Sequence, residues 1–127
     1  MTAALKQMQT WLKAQKRDQL QVEVEARTLD EVKEVLAFFA ASGNAGVHRI
    51  LLDNMVKVAS DGTVDVSLLQ EALALVGGKI PCEASGNVTL ATVPAIAATK
   101  VDFISSGSLT HSVIALDISL KIKEMSD

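Results

Sequence analysis

The sequence predicts an α/β fold in which short parallel strands alternate with helices. Two observations carry this expectation. Apolar residues recur at a helical period and then at a strand period, in turn, along most of the chain. Each strand-like run also ends at carboxylates, hydroxyls or glycine, the residue types that gather at the carboxyl ends of strands in parallel folds. Such alternation favours parallel strands joined by right-handed crossovers.

Residues 3–17 place Ala4, Leu5, Met8, Trp11 and Leu12 on one helical face, a stripe that needs a cover. From Leu20 the period becomes two: Leu20, Val22 and Val24 alternate with Gln21, Glu23 and Glu25, as in a strand. Thr28 opens a second helix with a capping box, since Glu31 lies three residues on. Val32, Val35, Leu36 and Phe39 are its expected buried side, and Ser42-Gly43-Asn44 its end. Arg49–Leu52 reads as a buried strand stopping at Asp53-Asn54. Lys57–Thr63 reads as a loop turning at Asp61-Gly62. Asp65 or Ser67 caps a third helix that closes at Gly77-Gly78, and Lys79–Glu83 is a third strand. Thr89 is expected to cap a helix reaching Thr99, with Pro94 near its first turn, where a missing N–H does least harm. Val101–Ser105 is a fourth strand, followed by a helical turn from Thr110. Leu116, Ile118, Leu120 and Ile122 then alternate with polar residues as a final one-faced strand, and the polar residues beyond read as a frayed end.

The chain has 127 residues, the size of one domain, and its 49% hydrophobic and 21% charged residues suffice for a core. No apolar run approaches the roughly 20 residues that cross a bilayer, and no signal-peptide pattern or other targeting segment opens the chain. The single Cys82 excludes an internal disulfide and reads as a small buried hydrophobe. A net charge of −3, without a basic cluster and with few aromatics, argues against a nucleic-acid surface. The expectation is a soluble intracellular domain, with cytoplasm and plastid both open.

The strand ends supply the candidate chemistry: Glu25 on the first, Asp53-Asn54 on the second, Glu83 and Ser85-Gly86-Asn87 on the third, Ser105-Ser106-Gly107 on the fourth. Glu25 and Asp53 offer hard oxygen ligands suited to Mg²⁺; Glu23 and Glu25 could equally face solvent on an edge strand, and Asp53 could be a turn residue. Ser85-Gly86-Asn87 and Ser106-Gly107-Ser108 each stand between a strand and a helical start, where backbone N–H groups and hydroxyls meet an anion. His111 is a donor to that anion, an acid, or structural. No nucleophile–base pair, CxxC or metal-spaced His/Cys cluster, or Walker loop occurs.

The runs Val22-Glu23-Val24-Glu25, Arg27-Thr28-Leu29, Leu52-Asp53-Asn54-Met55, Glu83-Ala84-Ser85-Gly86, Thr89-Leu90, Ile104 to His111 and Ala115 to Leu120 occur in this order. Together they resemble the carboxy-terminal barrel segment of quinolinate phosphoribosyltransferase (nicotinate-nucleotide pyrophosphorylase), most closely in plant and algal form. The resemblance implies a partial (β/α) barrel of about four βα units with parallel strands plus a final extra strand. Residues 1–127 would be the carboxy-terminal portion, without the amino-terminal domain. It also implies transfer of a phosphoribosyl group from phosphoribosyl pyrophosphate to quinolinate, giving nicotinate mononucleotide, carbon dioxide and pyrophosphate on the route to NAD, with Mg²⁺ carried by the donor. By motif, Glu25 and Asp53 would face the ribose hydroxyls and metal-bound pyrophosphate. Ser85, Gly86, Asn87 and Gly107 would bind phosphate, and Glu83 and His111 would line the site. Many members have Gly where Asn87 stands; Asn tolerates a left-handed backbone.

The family's Arg, His and Lys cradle for the quinolinate carboxylates lies upstream of the matched segment. A dianion needs convergent donors in place of its water, and Arg17, Arg27 and Arg49 form no such cluster in the sequence. Two functions lead, part of a working transferase, the isolated chain being inactive, or a truncated relative serving as a structural or interaction subunit; a small phosphate-ligand module is a third reading. In either of the first two, a homo- or hetero-oligomer would cover the open barrel edges.

Overall fold

The computed structural model describes residues 1–43, 45–112 and 114–122. The elements are α1 (Thr2–Ala14), β1 (Glu23–Ala26), α2 (Leu29–Ala41), β2 (Arg49–Asp53), β3 (Lys57–Val58), β4 (Val64–Asp65), α3 (Ser67–Val76), β5 (Cys82–Ser85), α4 (Val93–Ala98), β6 (Phe103–Ile104) and α5 (Ser108–His111). β1, β2, β5 and β6 form one sheet in that order, each pair parallel. Sequential parallel strands with helices between them make the arc of a barrel, as the alternation predicts.

The register explains which side chains form the core. Val24, Ile50 and Cys82 lie side by side across the sheet, as do Ala26, Leu52 and Ala84. All six are buried, together with Val32, Val35 and Phe38 of α2 and Leu69, Ala72 and Val76 of α3. One sheet face is thus sealed by helices. The alternate residues, Glu23, Glu25, Arg49, Leu51, Asp53, Glu83, Ser85 and Phe103, occupy the other face and remain partly or fully exposed.

The capping box of α2 forms as expected: the Thr28 hydroxyl accepts from Glu31 N–H, and the Glu31 carboxylate accepts from Thr28 N–H. Its deeply buried aromatic is Phe38; Phe39, expected there, is half-buried with Leu36. The α1 stripe is only partly covered, with Leu5 buried and Trp11 50% exposed.

Several boundaries move. β1 begins at Glu23 and not Leu20, because Leu20 N–H closes a turn onto Arg17 O and Val22 N–H is taken by His48 Nδ1. The expected loop at Lys57–Thr63 is mostly a hairpin, β3 pairing antiparallel with β4 around the Asp61-Gly62 turn. Neither cap candidate occupies the cap of α3, whose N-cap is Val66 without a side-chain cap bond; Asp65 accepts instead from the N–H of Ser67, the first residue of the helix. The third strand is Cys82–Ser85, so Lys79–Ile80 precede it. Thr89 accepts from Thr92 N–H, but α4 starts only at Val93, with Pro94 in its first turn. β6 is shortened to Phe103–Ile104, and the last helical turn starts at Ser108, not Thr110.

The expected final strand does not form. Residues 116–122 pair with no strand among the described residues, and Leu116, Ile118, Leu120 and Ile122 are each more than 80% exposed. Period-two patterning alone does not hold a strand without a sheet to receive its backbone and apolar face. Asn44 and the expected frayed end at 123–127 lie outside the described residues.

Candidate functional site

At the carboxyl end of the sheet the strands deliver their polar residues to one rim. Glu25 ends β1 on the open face, and Arg27 follows the buried Ala26. The Arg27 guanidinium reaches Glu25 Oε1 at 2.6 Å and Asp53 Oδ2 at 3.2 Å. The neighbouring Glu25 carboxylate, then Asp53, hold the guanidinium above its ordinary pKa. Asp53 Oδ2 also accepts from Asn54 Nδ2 at 2.7 Å. Asp53 is therefore more than a turn residue. It pairs in register with Ser85 on the next strand, and Asn54 N–H donates to Ser85 O at 2.9 Å.

Asn54 is left-handed, with φ of 56°, and its side chain lies over Gly86, whose φ is 88°. A Cβ at position 86 would run into that side chain, so glycine is required there for both space and backbone conformation. Asn87 adopts the left-handed backbone anticipated for it, with φ of 56°, and donates to Val56 O at 2.9 Å. Thr92 is buried and ties the rest of this loop, donating to Asn87 O and accepting from Thr89 N–H.

The loop after β6 comes against the loop after β5. Ser106 Oγ bonds to Val88 O at 3.0 Å and to Ser108 Oγ at 2.7 Å. Between the loops is a cavity of about 290 Å³ lined by Ser85, Gly86, Asn87, Val88, Ser105, Ser106, Gly107, Ser108 and His111. A Cβ at Gly107 would approach His111 Nε2 to 2.8 Å, so His111 folds back over its own loop. Five expected residues, Ser85, Gly86, Asn87, Gly107 and His111, thus share one concave surface.

One expectation needs correction. Helix starts were expected behind both loops, yet six residues separate Gly86 from α4, and α5 is a single turn. Any anion in the cavity would meet loop N–H groups and hydroxyls, with little helix dipole behind them. Glu83 stands apart from the residues that line this cavity. It sits one pleat below Ser85, where Arg49 Nη1 donates to Glu83 Oε2 at 2.6 Å.

That lower tier was missed in the sequence. The Arg49 guanidinium lies 3.9 Å above the Phe103 ring, and Glu23 stands beside it in register. Burial, then the nearby Glu83 carboxylate, raise the Glu23 pKa despite an opposing effect of Arg49. The signal was available: Arg49 precedes Asp53 by four residues and Glu83 precedes Ser85 by two, spacings that put each pair on one face of a strand. Among the described residues, Glu25 and Asp53 are the two carboxylates that meet at the Arg27 guanidinium, and no group of three or more His, Cys, Asp or Glu gathers as metal ligands.

Comparisons with known proteins agree with this architecture. The family model for the C-terminal domain of quinolinate phosphoribosyl transferase matches residues 1–121. The mitochondrial decarboxylating quinolinate phosphoribosyltransferase 2 of Nicotiana glauca is 55% identical over 119 residues, covering 94% of this chain and 33% of that protein. The chloroplastic carboxylating nicotinate-nucleotide pyrophosphorylase of Arabidopsis thaliana is likewise 55% identical over 119 residues, covering 94% of this chain and 34% of that protein. Among solved structures, nicotinate-nucleotide pyrophosphorylase from Ehrlichia chaffeensis superposes with a TM-score of 0.67 at 33% identity, over 88% of this chain and 33% of that one. NadC from Streptococcus pyogenes gives a TM-score of 0.67 at 32% identity, over 92% and 35%. The chain spans about a third of the length of the curated relatives it matches. With its parallel α/β arc, its rim of strand-end motifs and these matches together, the chain belongs to the quinolinate phosphoribosyltransferase family, matching its C-terminal domain.

Proposed function

We propose that this chain supplies the donor half of a quinolinate phosphoribosyltransferase site, binding phosphoribosyl pyrophosphate with Mg²⁺ and leaving the quinolinate carboxylates to residues outside it. The observation that carries the reading is the meeting of the β5 and β6 loops around one hydroxyl-lined cavity, beside the Glu25–Asp53 rim. In this role Ser85, Gly86, Asn87, Gly107 and His111 hold phosphate through N–H groups, hydroxyls and an imidazole. Glu25 and Asp53 take the ribose hydroxyls and the cation on the pyrophosphate. The pair suits Mg²⁺, which keeps several waters and asks for one or two carboxylates beside substrate phosphates. Both carboxylates already share one cation, the Arg27 guanidinium, which supports their taking another. When bound, Mg²⁺ neutralises charge on the departing pyrophosphate. Glu83, paired with Arg49, acts as support beneath the rim.

Among the described residues, no cluster of free cations stands ready for the second substrate. Of the arginines near the sheet, Arg49 is engaged by Glu83, which leaves at most the single Arg27 of the Glu25–Asp53 rim. A dianion such as quinolinate needs free convergent donors. Calorimetry is expected to show binding of phosphoribosyl pyrophosphate with Mg²⁺, weakened by Asp53→Asn. A monodisperse sample given both substrates is expected to form no mononucleotide. Absence of donor binding would refute the reading; mononucleotide formation would refute the division of the site. Like its plant relatives, whose names are mitochondrial and chloroplastic, the chain is read as working inside the cell.

A second reading, an interaction subunit, is favoured by surface left uncovered. β1 and β6 are open sheet edges, and Leu116, Ile118, Leu120 and Ile122 present apolar side chains to solvent. It expects a homo- or hetero-oligomer, and a stable monomer by sedimentation velocity at high concentration would count against it.

A further inference from the structure

The geometry points to Arg27 as a resident counter-cation that competes with the divalent ion for Glu25 and Asp53, so that the rim carboxylates must release a guanidinium before they take a metal. The inference rests on the proposed donor-binding role of those two carboxylates. Its own basis is the position of Arg27. The side chain stands one residue beyond β1, contacts Glu25 at 2.6 Å through one nitrogen and Asp53 at 3.2 Å through another, and is 66% exposed. It therefore spans carboxylates from two different strands without being packed in place. Asp53, by contrast, is only 15% exposed and is fixed by Asn54.

The chemistry favours an exchange. Two carboxylates facing one another without a cation repel, and a guanidinium between them removes that repulsion. A solvated, flexible arginine is held by pairs of modest strength and leaves at little cost in packing. A divalent ion arriving with a polyanion brings more charge, and the displaced guanidinium remains on the rim, close to that polyanion. Arg27 would thus hold the empty rim in order and lower its affinity for metal alone, so that metal enters with the donor and not before it.

Mn²⁺ alone is a suitable probe, its free concentration followed by electron paramagnetic resonance. Arg27→Gln is expected to tighten Mn²⁺ binding by about three- to tenfold, the size of losing two ion pairs of an exposed guanidinium. Arg27→Lys, which keeps a competing charge, should stay nearer the unsubstituted protein, and the gain from Arg27→Gln should vanish in a Glu25→Gln, Asp53→Asn background. Thermal unfolding without metal checks that Arg27→Gln folds. Unchanged or weaker Mn²⁺ binding in Arg27→Gln would overturn the inference; if phosphoribosyl pyrophosphate with Mg²⁺ still binds in an Asp53-dependent manner, the donor-site reading survives that result. No Mn²⁺ binding by any of these proteins, together with no donor binding, would overturn both.

Discussion

The two faces of the sheet obey different rules although they are made from the same strands. On the helix side, Val24, Ala26, Ile50, Leu52, Cys82 and Ala84 are at most 9% exposed and form a continuous apolar layer. On the other side the same strands present Glu23, Glu25, Arg49, Asp53, Glu83 and Ser85. Parallel sheets are ordinarily covered on both faces and then read as unbroken apolar runs. Here alternation survives in β1, β2 and β5, with buried and more exposed residues in turn. The open face is thus built for charge. Its polar groups are organised in two tiers, Glu23–Arg49–Glu83 below and Glu25–Arg27–Asp53 above, each with an arginine among carboxylates. The lower arginine is also held against Phe103, whereas the upper one is the more exposed. One tier reads as support and the other as exchangeable.

The contrast between the faces is tested most severely at adjacent positions. Leu52→Ala, on the sealed face, is expected to cost about 2–5 kcal/mol of stability in urea denaturation, through lost burial and the cavity left behind. Leu51→Ala, its partly exposed neighbour on the open face, should cost less than about 1 kcal/mol. Equal losses would show that the open face is packed in solution, by a partner or a second copy. Gly86→Ala comes next. The new methyl meets Asn54 at a φ that side chains rarely adopt, so a cost of about 1–3 kcal/mol is expected. Donor binding should weaken with it, since Asn54 and the phosphate loop would be pushed apart.

The sealed face was legible in the sequence because burial leaves a periodic trace: the apolar members of β1, β2, α2 and α3 repeat at their own spacing. Phe38 and Phe39 mark the limit, since two adjacent aromatics near a helix end satisfy the pattern almost equally and only packing selects Phe38. The rim was legible as residue types at strand ends, and Ser85, Gly86, Asn87, Gly107 and His111 do converge. The contacts among them were not. Arg27 bridging Glu25 to Asp53, and Arg49 reaching Glu83, depend on register between strands separated by an intervening helix, which no local pattern encodes. The tail failed for the opposite reason: its alternation is clear, but a strand exists only when another strand receives it.

The lower tier yields the finer predictions. Arg49 is 31% and Glu83 14% exposed, so their bond is partly screened. Arg49→Met is expected to cost about 1–2 kcal/mol, since it leaves Glu83 half-buried without its partner. Glu83→Gln should cost less, because the amide can still accept from the guanidinium. A smaller loss for Arg49→Met than for Glu83→Gln would mean that Arg49 does not anchor this tier.

Glu23→Gln is expected to act in the other direction. Burial and the adjacent Glu83 raise the Glu23 pKa in the folded protein, so folding favours the protonated carboxyl. The sign follows from linkage: the stability contributed by this group is fully present below its unfolded pKa and is lost as the pH rises through the higher folded value. At neutral pH the ionised Glu23 is a small burden, and replacing it with the neutral amide should raise stability by about 0.5 kcal/mol or less, solvent screening of so exposed a group being strong. The gain should shrink as the pH falls below the ordinary glutamate range, where the native carboxyl is itself neutral. Urea denaturation of both proteins from acid to neutral pH would check this. A Glu23→Gln variant less stable than its parent at neutral pH would show that Glu23 is held chiefly by Arg49, placing the lower tier's balance of charge on the opposite side.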